Sequence, residues 1–140
     1  MKKNTQSGFS LIEVMLVMVI IGIIGAIGIP SLQKGIKSAE NTATFANLRV
    51  MSSTQIMHLT QNNRFARLSE LNTMQSGGFG VSTPTGLKKG RFTYEMTPLA
   101  PSDVELKDGY TITATGVSDV TAVPYVFRLT QTGEIVQVTP

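Results

Sequence analysis

Residues 1–30 read MKKNTQSGFSLIEVMLVMVIIGIIGAIGIP, and the rest of the chain is organised around them. Residues 9–29 form a run of 21 residues with a single charge, Glu13. At the α-helical rise this run is about 31 Å long, close to the hydrocarbon thickness of a bilayer. A segment of this kind is held in lipid or covered by other apolar rods. Glu13 is the anomaly, since a carboxylate within lipid costs at least about 2.5–3.5 kcal/mol and marks a functional position.

An ordinary secretory signal is one reading, because Ala26 and Gly28 are small residues two apart and allow a cut after Gly28. The glutamate within the apolar region and Pro30 beside the cut argue against it. Lys2 and Lys3 precede the run, but Lys34 and Lys37 follow it, so basic residues alone do not set orientation.

Gly8-Phe9-Ser10-Leu11-Ile12-Glu13-Val14, after a short basic leader, resembles the processing motif of type IV prepilins and pseudopilins. The resemblance covers about the first 30 residues. It implies a cut between Gly8 and Phe9 by a dedicated membrane peptidase and N-methylation of Phe9. It also implies that Glu13 meets the Phe9 amine of a neighbouring subunit, setting axial register during assembly. A buried charge is tolerable when paired, and such pairs act more on specificity than on net stability. In a helix Phe9 and Glu13 stand four apart, one turn from each other. A glutamate at the aqueous edge of an ordinary anchor is the alternative.

Gly22, Gly25 and Gly28 recur every three residues before Pro30. Each glycine weakens a helix by up to about 1 kcal/mol relative to alanine, and proline removes a hydrogen bond. Either this segment yields on assembly, as the resemblance implies, or its small residues let helices approach closely.

Beyond Pro30 the helical pattern runs to about Asn63. Leu32, Ile36, Ala39, Ala43, Ala46, Val50 and Met57 form one narrow stripe. Phe45, Leu48, Ser52, Ile56 and Leu59 form a second on the opposite face. The second is expected to pack on the protein's own sheet from about Phe45 onward, leaving residues 9–44 protruding. The first is expected to face neighbouring rods, unless both are buried in one monomeric core.

Residues 64–91 read as a long connection with a short helix over 68–72 and a flexible Ser76-Gly77-Gly78-Phe79-Gly80 stretch. No strand precedes these glycines and no Gly-Lys-Ser/Thr follows, so a phosphate loop is not indicated. Strand alternation follows at Phe92-Tyr94-Met96, Tyr110-Ile112-Ala114, Tyr125-Phe127-Leu129 and Val136-Val138. Thr132-Gly133 supplies a turn between the last two, and Pro124 suits a strand start. The expected fold is α+β: a long N-terminal helix packed in its second half on a roughly four-stranded antiparallel sheet, the ladle of the resembled family. The chain divides as leader 1–8, apolar helix 9–30, amphipathic helix 31–63 and globular head 64–140.

The chain has 140 residues and no cysteine, which excludes disulfides and thiolate metal sites. Many pilins of the resembled family carry a C-terminal disulfide loop, so here strand pairing must hold the chain end. Without residues 1–8, which carry Lys2 and Lys3, the formal charge of +3 falls to +1. The basic balance is therefore poor evidence for nucleic acid. Lys88-Lys89-Gly90-Arg91 beside Phe92 and Tyr94 is the one basic patch with aromatics, read as a DNA-backbone contact or a solubilising turn. His58 stands alone, and Asp103, Glu105 and Asp108 lack the ligand spacing of a calcium loop. That differs from the calcium-binding loop the family leads one to expect in the major type II secretion pseudopilin.

No catalytic site, cofactor or metal is expected. The expected protein is a structural filament subunit, held in the inner membrane with its head outside and then polymerised onto the cell surface. Its partners are copies of itself, the prepilin peptidase, an inner-membrane assembly platform and membrane lipid. A pseudopilin or minor pilin of a type II secretion or DNA-uptake system shares every motif. A single-pass anchored binding domain is the alternative of a different class.

Overall fold

The computed structural model describes residues 8–117 and 124–139, so Lys2 and Lys3 lie outside the described residues. The chain divides into two compact units, Met1–Glu40 and Asn41–Pro140. Helix α1, Leu11–Asn62, runs through both, with Pro30 inside it. It stops where Asn63 adopts a left-handed conformation (φ 54°), which asparagine tolerates better than most residues, and the Asn63 amide closes on the Leu59 carbonyl at 2.9 Å.

In the first unit the helical side chains from Leu11 to Ile29 are exposed almost throughout. In the second unit, α1 packs on a six-stranded antiparallel sheet whose strands are neighbours in sequence order. The strands are β1 Val81–Ser82, β2 Gly86–Lys89, β3 Phe92–Thr97, β4 Thr111–Gly116, β5 Tyr125–Thr130 and β6 Ile135–Thr139. Two short helices precede and interrupt them, α2 Leu68–Met74 and α3 Glu105–Asp108. Register places Leu87, Tyr94, Ala114 and Phe127 in one inward row, and Met96, Ile112, Leu129 and Ile135 in the next. The outward row carries Glu95, Thr113, Arg128 and Val136 instead. That is the one-face-wet pattern of an antiparallel sheet. Hydrogen bonds between Thr130 and both Gly133 and Glu134 close the turn at Thr132-Gly133, and β6 is held by pairing with β5.

The sheet has six strands, not four. β1 and β2 lie within residues read from the sequence as a connection. They are two and four residues long, and only Leu87 in them is buried, so no alternation was there to find. The glycine stretch is an ordered turn. Asn72 donates to the Gly80 carbonyl (3.0 Å) and accepts from the Phe79 amide (3.1 Å), while the Phe79 ring enters the core. Gly80 has φ 127°, and a Cβ there would run into the Lys88 carbonyl.

The covered face of α1 also differs from the second stripe. Leu48 is fully buried, but Phe45 and Ile56 are exposed and Ser52 and Leu59 only half-buried. Burial begins at Thr44 and follows Leu48, Met51, Gln55 and His58, at spacings of four and three, with Thr54 alongside. The face was hidden from an apolar pattern because it is partly polar. Gln55 holds the Ala66 peptide from both sides, donating to its carbonyl at 2.8 Å and accepting from its amide at 2.6 Å. His58 Nδ1 lies 3.1 Å from the Arg64 carbonyl, which makes it the donor. These side chains satisfy backbone groups of the turn after α1, and the Phe65 amide donates to the Leu106 carbonyl of α3 at 2.9 Å.

Arg64 grips Glu70 with two hydrogen bonds (2.9 and 2.7 Å), and the Arg67 amide adds a third at 2.8 Å. The Arg64 guanidinium and that amide hold the Glu70 carboxyl down at about 2. Burial of the Tyr110 phenol, which packs edge-on against Phe65 at 4.8 Å, pushes it up to about 12.

Met51→Ala should destabilise the head by about 2–5 kcal/mol, and Ile56→Ala by no more than about 0.5 kcal/mol. Denaturant midpoints of the full chain in detergent would show the difference. Glu70 is ionised more readily folded than unfolded, so its contribution is complete above about pH 4.5 and disappears as pH falls towards 2. Allowing for screening at a carboxylate one-third exposed, this is on the order of 1–2 kcal/mol. Stability measured from pH 6 to 2 should fall less steeply in Glu70→Gln than in the natural chain.

Candidate processing and assembly site

The start of α1 explains itself from Ser10. The Ser10 carbonyl accepts from the amides of Glu13 (3.0 Å) and Val14 (3.3 Å), and the Glu13 carboxylate Oε2 accepts from the Ser10 amide at 3.0 Å. Serine followed three residues later by glutamate is half of a capping box, and the acidic group also suits the positive end of the helix dipole. The helix therefore begins at Leu11, and Phe9 stands outside it. Phe9 and Glu13 are thus not two members of one helical turn here. The carboxylate turns back onto the peptide one residue beyond Phe9. Ser10 was missed by the sequence reading, although the Ser-x-x-Glu signature before an apolar run was there to be read.

Gly8 and Phe9 are exposed, Phe9 to 90%. A Cβ built at Gly8 meets nothing within 4 Å, and the same holds at Gly22, Gly25 and Gly28. Among the described residues, nothing in the packing demands glycine at these four positions. Gly22, Gly25, Gly28 and Pro30 all remain within the regular helix.

Of the first stripe, Leu32, Ile36, Ala39, Ala43, Ala46, Val50 and Met57 are all exposed. In the second unit this stripe lies away from the face that packs on the sheet. The Arg49 guanidinium lies 5.4 Å from the Phe45 ring on the exposed surface.

Several of the other candidates are engaged within the head. Lys89 Nζ donates to the Gly78 carbonyl (2.6 Å) and to Asn47 (3.3 Å), and Asn47 in turn donates to the Tyr94 hydroxyl at 3.3 Å. Phe92 and Tyr94 are buried, so neither offers a face on which a base could stack. Asp103 accepts from Arg67 at 2.6 Å, and Glu105 caps Ser102 through its amide (2.8 Å) and hydroxyl (2.7 Å). Among the described residues no His, Asp and Glu cluster is arranged to hold a metal.

No curated protein and no solved structure matches the chain. Residues 3–29 match the family model described as the prokaryotic N-terminal methylation motif, the signature carried by type IV prepilins.

Proposed function

We propose that the chain is a structural subunit of a type IV pilus-like filament. It is made as a prepilin, cut after Gly8, N-methylated at Phe9 and polymerised through its N-terminal helix. The observation that carries this reading is the methylation motif at the head of a helix whose large apolar side chains are exposed. Exposed apolar surface on this scale needs lipid or copies of itself as a partner. Before assembly the subunit is held in the inner membrane by α1, with its head outside; afterwards it lies on the cell surface. The prepilin peptidase acts at Gly8, and an assembly platform draws the subunit from lipid into the fibre. Glu13 fixes register against the Phe9 amine of a neighbour, and Leu32, Ile36, Ala39, Ala43, Ala46 and Val50 face neighbouring helices. The chain catalyses nothing. A pseudopilin or minor pilin carries the same motif, and abundance in sheared surface fibres separates the two roles.

The mature protein should begin at Phe9 and weigh one methyl group more than its sequence, by intact-mass measurement. Gly8→Leu should accumulate uncut precursor; a chain still starting at Met1 in the natural protein indicates an anchored binding domain instead. Glu13→Gln should yield processed subunits that stay in the membrane and form no normal fibres, seen by shearing and microscopy. Ala43→Glu adds a charge at an exposed site, so head stability should change by less than about 0.5 kcal/mol while fibre formation is lost. Normal fibres from Ala43→Glu would remove the first stripe from the interface.

A further inference from the structure

Resting on the membrane-held state proposed above, we infer that the lipid-crossing length of α1 is residues 14–33 rather than 9–29. Glu13 then sits in one headgroup layer, and Lys34 and Lys37 lie against lipid phosphates in the other.

The first argument is the helix start. The first amides of a helix have no carbonyl one turn back, and each unsatisfied backbone group in hydrocarbon costs several kcal/mol. Helix α1 starts at Leu11, and its start is completed by a carboxylate, Glu13 Oε2 on the Ser10 amide. Such an end is stable in water or among headgroups and unstable in hydrocarbon. A crossing centred on 9–29 would bury it, while one beginning at Val14 leaves it wet.

The second argument is length. Residues 14–33 contain no charged side chain. Twenty residues at about 1.5 Å each give about 30 Å, the hydrocarbon thickness. Lys34 and Lys37 follow about 2 and 6 Å further along the axis, within a headgroup layer about 5–8 Å deep. Lys34 is exposed and Lys37 half-buried. Glu40, the next charge, falls about 10 Å beyond Gln33, outside that layer and in water. The order is therefore acid, uncharged helix of bilayer length, two cations, acid. The cations stand at phosphate depth and Glu40 does not. Lysine stems also reach along the helix to bring ammonium groups to that depth.

Placed this way, the subunit waits in the membrane without a carboxylate in oil. Glu13 becomes buried only when it leaves lipid for the fibre.

The chain has no cysteine, so single cysteines report depth without background. The full-length chain carrying one cysteine at Ile12, Val19, Ile23, Ile24 or Ile27 is labelled with a small fluorophore. It is then placed in phosphatidylethanolamine–phosphatidylglycerol vesicles containing shallow or deep spin-labelled lipid. Deep quenching should peak at Ile23 and Ile24, be lower at Ile27, lower again at Val19, and be weakest at Ile12. A peak at Val19 overturns the inference and leaves the membrane-held state standing. Equal exposure of every position to a water-soluble quencher overturns both. Lys34→Gln with Lys37→Gln should move the peak towards Ile27, and Glu13→Gln should move it towards Val19. An unmoved peak in the lysine pair overturns the phosphate contact.

Discussion

The residues of α1 before Pro30 carry their apolar side chains in the open, and none of the described residues of their own unit covers them. This is the constraint from which the rest follows. A backbone can leave water only when its polar groups are satisfied internally, and a continuous helix does that for every residue except those at its ends. The chain therefore spends residues 11–62 on one continuous helix and gives the start of that helix a serine and a glutamate. Under the proposed function, the surface offered outward meets two solvents in turn, lipid tails and the flanks of identical helices.

Further along, the same helix is bound by different rules. From Thr44 it has a sheet to cover and a turn to hold, and the buried face changes character accordingly. Leu48 and Met51 fill the space over the inward rows of the sheet, whereas Gln55 and His58 bond backbone groups of residues 64–66. Arg64, Arg67, Glu70 and Asp103 then lock the connection to α2 and to the segment before α3. A head built around one helix face needs these polar ties because it has no disulfide to close its loops.

Much of this was legible in the sequence. The apolar run, the motif around Glu13, and strands β3 to β6 follow from composition and two-residue alternation. What was not legible has physical causes. β1 and β2 are shorter than the window in which alternation becomes visible, and they exist by pairing, β1 with β2 and β2 with β3. The packing face of α1 includes Thr44, Gln55 and His58, which a search for apolar stripes passes over, while the exposed Phe45 and Ile56 drew the stripe to the wrong side. Lys89 reads as a solvated charge until Gly78 and Asn47 are seen beside it. At the start of the helix the cause is a cap: the Ser10 amide bonded to Glu13 starts α1 at Leu11 and leaves Phe9 outside the apolar helix to which its side chain otherwise belongs by composition.

The strand order of the sheet repeats the order of the chain. No strand has to wait for a partner encoded far downstream: the longest connection between paired strands, residues 98–110, is 13 residues and contains α3, so closure carries a small entropic cost. The helix face that templates the sheet is also made first. A chain made from its N-terminus can therefore build its head one strand at a time on a surface already in place, which keeps unpaired edges short-lived while it folds.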